Sequence, residues 1–186
     1  DQGHAVIYGP YPNNQDRPNF EFRADYVKKY GETRAEWMNG RMRNLMLLPN
    51  VFLMDQMSTQ IRIFRPLAVD RTEVITYCIA PKGESDKARE RRLRQYEDFF
   101  NASGMATPDD LAEFRNCQLG YQAKNAPYSD ISRGQPRWVK GVHPLGQEIG
   151  VKARLSSTNI ADEGIYVSIL DEWDRRMQDI VKNKIE

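Results

Sequence analysis

The sequence predicts an α+β fold in which a run of antiparallel strands precedes a long helix. Four short strand-like segments follow one another between Asn44 and Ala80 with only turns between them. A helix-forming segment starts directly after them, at Ser85. A parallel α/β sheet would instead alternate strands with helices. The length of 186 residues fits a single domain.

The first part of the chain is expected to contain one strand and one interrupted helix. Residues 4–8 are rich in β-forming side chains, and residues 23–42 favour a helix that Gly31 interrupts. Thr33 and Glu36 are spaced as a capping box, which would restart the helix after the glycine.

The predicted meander consists of four segments with turn residues between them. The third segment is expected to end at Pro66, because proline lacks the N–H that a sheet needs. The fourth is the richest in β-branched residues. The segments are 44–48, 51–56, 59–65 and 72–80.

Three helices are expected after the meander. Ser85 is a favourable N-cap for a helix over 86–101, whose apolar face carries Leu93, Tyr96, Phe99 and Phe100. The charges of this segment alternate in sign, which is typical of a solvated face. A second helix is expected over 107–117, and residues 118–152 are expected to be irregular. Within 162–184, a short apolar run at 164–170 is followed by the third helix, which carries Trp173, Met177, Ile180 and Val181 on one side.

Composition excludes several classes of protein. Lys+Arg number 27 against 26 Asp+Glu, so the net charge of +1 argues against a dedicated nucleic-acid binder. No apolar run approaches the roughly 20 residues that cross a bilayer, so no membrane association is expected. Cys78 and Cys117 are typical of reduced thiols, which predicts a cytoplasmic protein. Because the chain starts at Asp1 without Met, we expect it to be a piece of a longer protein.

Common catalytic motifs are absent from the sequence. It contains no G-x-S-x-G elbow, no Walker loop and no G-x-G-x-x-G loop. The two histidines, His4 and His143, lack the spacing of metal ligands and are interpreted as structural. This chain alone is therefore not expected to supply a complete metal site.

Two features have more than one interpretation from the residues alone. The segment Thr107-Pro108-Asp109-Asp110 favours a helix start, with Thr107 as N-cap, but a carboxylate there would also suit a metal. In the meander, Asn44 and Met46 share one face by parity, as do Met54 with Gln56 and Gln60 with Arg62. These side chains suit either a pocket for a flat, partly polar molecule or plain core packing.

Three segments, RNLMLLPNVFLMDQMSTQIRIFRPLAVDRTEV, CIAPKGES and RQYEDFFNASGMATPDDLAEF, give the sequence a family resemblance. It resembles the catalytic domain of the large (α) subunit of Rieske non-haem iron ring-hydroxylating dioxygenases, the benzoate and anthranilate group in particular. The resemblance extends from about Gly3 to the C-terminal helix and is densest between Arg43 and Phe114. It implies a helix-grip (START-like) fold, an antiparallel sheet wrapped on a long helix and incomplete at its N-terminus.

The resemblance also implies an iron site. Such enzymes hold Fe(II) with two histidines and one carboxylate, and the carboxylate position falls on Asp110, with Asp109 as the fallback. The asparagine that the family has near the iron falls on Asn44, and a pocket aromatic falls on Phe100. Arg62 or Gln60 would bind a substrate carboxylate. The expected substrate-binding residues are Asn44, Met46, Met54, Gln60, Arg62, Phe100 and Met105.

The expected activity is dihydroxylation of an aromatic carboxylate with O₂, giving a cis-dihydrodiol. Electrons would come from NADH through a reductase and a Rieske [2Fe–2S] centre. The Rieske domain and the histidine ligands would precede this chain, so residues 1–186 would be the C-terminal part of the catalytic domain, inactive alone. A small β subunit and a homotrimeric or α₃β₃ assembly are further expected partners.

Two other functions fit the same residues. One is a START-like small-molecule-binding module without catalysis, and the other is a salicylate-type ring monooxygenase.

Overall fold

A computed structural model describes residues 2–125 and 128–183. It confirms the α+β class. The strands are β1 (Ala5–Pro10), β2 (Arg41–Leu47), β3 (Val51–Asp55), β4 (Thr59–Ala68), β5 (Arg71–Cys78), β6 (Val139–Lys140) and β7 (Leu155–Ser156). The helices are α1 (Arg23–Tyr30), α2 (Glu32–Asn39), α3 (Asp86–Phe99), α4 (Thr107–Gly120), α5 (Pro144–Gln147) and α6 (Gly164–Asn183), with 3₁₀ turns at Asn14–Asp16, Pro18–Phe22 and Gln135–Arg137.

The first five strands form one sheet in the order β1-β2-β3-β4-β5, so the predicted meander is confirmed. Strands β4 and β5 pair antiparallel, with Gln60 opposite Cys78 and Arg62 opposite Thr76. The expectation that Pro66 ends the third segment is wrong: β4 continues to Ala68, and the register shifts between Pro66 and Ala68. An irregularity of this kind is where a sheet accommodates a proline.

The interrupted helix is confirmed, with two corrections. Gly31 has a φ of 80°, which separates α1 from α2. Gly31 itself is the N-cap of α2, and no side chain caps the helix, so the predicted capping role of Thr33 is wrong. The helix also ends at Asn39, and residues 41–42 belong to β2 rather than to a helix. Sheet pairing and an ion pair from the adjacent Arg43 to Asp55 override the helical preference of these residues.

Helix α3 packs on one face of the large sheet. Ser85 is its N-cap as predicted, accepting a hydrogen bond from the Ala88 amide at 3.2 Å. The predicted apolar face needs one correction, because Arg92 is 6% exposed whereas Leu93 is 37% exposed. Arg92 is buried because its guanidinium pairs with the Glu84 carboxylate. The charged face predicted for the helix segment 86–101 is therefore solvated except at Arg92.

Helix α4 begins at Thr107, whereas a helix capped by Thr107 would begin at Pro108. Ala106 is the N-cap, and the Thr107 hydroxyl donates to the Phe100 carbonyl at 2.8 Å, so the predicted capping role of Thr107 is wrong. The helix also runs to Gly120, beyond the expected end near Cys117. Leu111, Phe114 and Leu119 are each more than half exposed, with values of 53%, 55% and 56%.

The chain divides into two compact units. One comprises Tyr8–Asn44 and Phe52–Ser129, and the other comprises the described residues of Asp1–Ile7, Leu45–Val51 and Asp130–Glu186. In the latter, β6 and β7 form a small antiparallel sheet, and β6 lies within the segment 118–152 that was expected to be irregular. Asp162 links this segment by accepting hydrogen bonds from Arg137 and Ser157.

Helix α6 confirms the predicted C-terminal helix, but its apolar side faces outward. Trp173, Met177, Ile180 and Val181 are 56%, 40%, 48% and 55% exposed. The buried side of the helix carries Glu172 instead, which is 6% exposed. None of the described helices is both long enough and apolar enough to cross a membrane.

Candidate active site on the sheet face beneath α3

A row of polar side chains lies on the sheet face that α3 covers. Asn44 Nδ2 donates to Gln56 Oε1 at 3.0 Å, and Arg62 Nε donates to Gln60 Oε1 at 3.0 Å. The bond between Gln60 and Arg62 agrees with their predicted place on one face of β4, because alternate positions of a strand share a face. Phe52 and Phe64 add an apolar contact, with ring centroids 5.1 Å apart. The residues of this row and Phe100 are called the polar sheet face below.

Arg62 is the half-buried cation of the polar sheet face. Its guanidinium lies over the Phe100 ring, with 4.8 Å from the central carbon to the ring centroid. Burial lowers the pKa of Arg62, and the charges of Asp110 and Tyr96 partly oppose this shift. The side chain remains a cation at neutral pH. Nη1 and Nη2 form no hydrogen bond with any residue between 2 and 125 or between 128 and 183.

Asp110 lies in the first turn of α4 and is half-buried, whereas Asp109 is exposed. Within the described ranges, the Asp110 carboxylate accepts no hydrogen bond and forms no ion pair, although its charge acts on Arg62. The carboxylate is therefore available to bind a ligand.

The other polar and apolar candidates occupy different environments. Asn44 Oδ1 is buried and has no hydrogen-bond partner among the residues that the structure describes. Met46 and Met54 are half-buried strand residues, and Met105 is 75% exposed in the loop before α4. Phe100 is 6% exposed, which agrees with a place beneath the sheet.

Both histidines have structural roles, as predicted. His4 Nδ1 accepts a hydrogen bond from the Leu48 amide at 3.1 Å, and His143 Nδ1 accepts one from the Leu145 amide at 3.3 Å and caps α5. Across the described ranges, no three His, Cys, Asp or Glu side chains lie close enough together to hold a metal ion. A metal ion would therefore need donors besides the His, Cys, Asp and Glu side chains that the structure describes.

A small cavity lies at one end of the polar sheet face. It measures about 20 Å³ and is lined in part by Arg17, Asp55, Gln56, Ser58 and Arg92. This volume accommodates about one water molecule and no aromatic ring.

Two residues of the site escaped the sequence analysis as functional candidates. Ser58 is 6% exposed and accepts a hydrogen bond from Gln60 Nε2 at 2.8 Å. Its position two residues before Gln60 is the signal that would have placed it beside that side chain. Tyr96 of α3 acts electrostatically on Arg62, and it was expected only as part of an apolar helix face.

Comparisons with known proteins place this arrangement in a family. Residues 2–166 match the family model described as "Ring hydroxylating alpha subunit (catalytic domain)". The chain is 46% identical to the anthranilate 1,2-dioxygenase large subunit of Acinetobacter baylyi over 183 residues, covering 98% of this chain and 39% of that protein. It is 47% identical to the toluate 1,2-dioxygenase subunit alpha of Pseudomonas putida over 184 residues, covering 99% and 40%.

A solved structure shares the fold. The chain matches naphthalene 1,2-dioxygenase from Rhodococcus sp., in a crystal structure with bound indole, with a TM-score of 0.72 and 17% identity, over 92% of this chain and 42% of that one. The chain thus spans about two fifths of the length of the relatives that it matches. The family match over most of the chain shows that it belongs to the ring-hydroxylating dioxygenase large (alpha) subunit family, within the catalytic domain.

Proposed function

We propose that this chain is the C-terminal part of the catalytic domain of an oxygenase large subunit that dihydroxylates an aromatic carboxylate with O₂. The two curated relatives are named for anthranilate and toluate, which are both benzoic acid derivatives. The observation that carries the proposal is the half-buried Arg62, whose Nη1 and Nη2 have no hydrogen-bond partner among the described residues. Neither the binding-module alternative nor the monooxygenase alternative has an observation in its favour.

Asp110 is the proposed carboxylate ligand of a mononuclear Fe(II). Its half-buried position and unpaired oxygens among the described residues support this role. The family's two histidine ligands would come from outside residues 1–186. When bound, the iron supplies the redox chemistry that activates O₂ for addition to the ring.

The apolar side of α4 is exposed, which suits a helix that another segment of the whole protein covers. Leu111 and Phe114 follow Asp110 closely, on a helix with no buried residue among those described. A segment that covered these side chains would also exclude water from Asp110. We propose that the same segment brings the histidines to the site.

Arg62 is the proposed anchor for the substrate carboxylate. A carboxylate can accept two parallel hydrogen bonds from a guanidinium, which fixes both its position and its plane. Phe100 supports the opposite side of the guanidinium and keeps it from turning away. The pairing of substrate and Arg62 would orient the ring on the polar sheet face while apolar residues exclude water.

The remaining partners of the proposed enzyme follow the family. Electrons would reach the site from NADH through a reductase and a [2Fe–2S] Rieske domain of the same large subunit. A small β subunit and a homotrimeric or α₃β₃ assembly complete the proposal, in the cytoplasm.

The experiment compares benzoate, which carries a charged carboxylate, with nitrobenzene, an uncharged molecule of the same shape. In the oxygenase that contains this chain, Arg62→Gln should raise KM for benzoate about 10- to 100-fold, because a hydrogen bond to a charged group contributes about 1.5–3 kcal/mol. The inhibition constant of nitrobenzene, which has the shape of benzoate without its charge, should change little. Equal changes for both molecules, or no change for either, would remove Arg62 from the substrate site.

A further inference from the structure

We propose that Gln60 is a positioning residue, which fixes the Arg62 guanidinium in the orientation that receives a carboxylate. The inference rests on the proposed function, in which Arg62 binds the substrate. It gives Gln60 a role different from the direct substrate contact that the sequence predicts.

Gln60 is too deeply buried to contact a ligand. Its side chain is 1% exposed, and both ends of its amide are already in use. Oε1 accepts from Arg62 Nε at 3.0 Å, and Nε2 donates to Ser58 Oγ at 2.8 Å. An arginine nitrogen only donates hydrogen bonds, so the amide oxygen must face Arg62 and the amide nitrogen must face Ser58.

The hydrogen bonds run from the buried turn before β4 outward along one face of the strand. Ser58 is 6% exposed, Gln60 is 1% exposed and Arg62 is half-buried. Gln60 and Arg62 share one face of β4 by their spacing, and the hydrogen bond to Gln60 holds Ser58, in the turn before β4, beside them. Ser58 therefore fixes Gln60, and Gln60 in turn fixes the Nε edge of Arg62.

Two contacts together define the plane of the guanidinium. Gln60 holds its Nε edge, and the Phe100 ring supports its face at 4.8 Å. A planar group restrained at one edge and one face has little freedom to rotate. Nη1 and Nη2 are left to bind a ligand, so less side-chain entropy is lost when a carboxylate binds.

The test separates positioning from general stability. The isosteric variant Gln60→Met keeps the packing volume and removes both hydrogen bonds. In the oxygenase that contains this chain, it should raise KM for benzoate about fivefold, with kcat and the inhibition constant of nitrobenzene nearly unchanged. In the Arg62→Gln background the same change should have no further effect on KM, because Gln60 acts through Arg62.

Two further variants complete the experiment. Ser58→Ala removes only the acceptor for Gln60 Nε2 and should raise KM for benzoate about twofold, which keeps the inference testable if Gln60→Met does not fold. Asn39→Leu is the matched control, since Asn39 is 0% exposed and its amide donates to the Asn19 carbonyl, away from Arg62. It should leave the ratio of benzoate KM to nitrobenzene inhibition constant unchanged.

Each contrary result has a distinct meaning. If Arg62→Gln raises the ratio but Gln60→Met does not, the positioning role is wrong and the proposed function stands. If Gln60→Met still raises the ratio without Arg62, or if Asn39→Leu raises it equally, the positioning role is also wrong. If neither Arg62→Gln nor Gln60→Met changes the ratio, the proposed substrate contact fails, and the inference fails with it.

Discussion

Arg92 joins α3 to the loop before it and to the end of β5, and its replacement tests how the helix is held. Arg92 Nε and Nη2 donate to the two Glu84 carboxylate oxygens at 2.8 and 2.5 Å. Arg92 Nη1 also donates to Cys78 Sγ at 3.4 Å, which links α3 to the end of β5. Both charged side chains are 7% exposed, so water replaces these bonds poorly.

Arg92→Met should lower the free energy of unfolding by about 2–3 kcal/mol at pH 7. The estimate follows from the loss of hydrogen bonds between charged groups and from the nearly buried Glu84 carboxylate left without its partner. The double variant Arg92→Met/Glu84→Leu should lose less than the single variant, because no buried charge then remains. Urea unfolding followed by tryptophan fluorescence measures both values.

The same pair predicts a dependence on pH. The Arg92 hydrogen bonds hold the pKa of Glu84 below its ordinary value of 4.5, against the opposing effect of burial. The stabilisation from ionised Glu84 is thus present above pH 4.5 and is lost as pH falls through its pKa in the folded protein. The difference in stability between wild type and Arg92→Met should therefore shrink at acidic pH. A loss below about 1 kcal/mol at pH 7, or a double variant as unstable as the single one, would refute the reasoning.

Two other predictions concern single side chains. Phe100→Leu should raise KM for benzoate about threefold to fivefold in the oxygenase that contains this chain, because it removes the cation–π support of Arg62; an equal effect on nitrobenzene binding would contradict that cause. Hydrogen bonds from Arg175 and Arg176 lower the pKa of Glu172 to about 2. In wild type, this stabilisation should be lost as pH falls from 4.5 towards 2, whereas Glu172→Gln should show a flatter profile of thermal midpoint against pH, and parallel profiles would rule the effect out.

Local patterns predicted the main strands and helices well. The run of β-branched residues in 72–80 places a strand there, and β5 occupies most of that range. The failures lie where tertiary contacts override local preference. Residues 41–42 pair in the sheet, and Thr107 bonds to Phe100 instead of capping α4. Nothing local in the sequence indicates either partner.

The candidate site was predictable in part. Strand parity placed Gln60 and Arg62 on one face, since alternation needs no knowledge of partners. Parity could not show that Gln60 is buried or that its amide bonds to Arg62. The burial of Arg92 rather than Leu93 depends on the ion pair with Glu84, which helical periodicity does not reveal. Asp110 became a candidate ligand through the family resemblance and not through any local pattern.

The most direct test of the account is the iron content of the oxygenase that contains this chain, compared between Asp110→Asn and Asp109→Asn. The two residues are adjacent and alike in chemistry, but Asp110 is half-buried and Asp109 is exposed. We expect Asp110→Asn to lose its mononuclear iron and keep its [2Fe–2S] absorption, while Asp109→Asn keeps both. Full mononuclear iron in Asp110→Asn, or its loss only in Asp109→Asn, would contradict the assignment of Asp110 as the ligand.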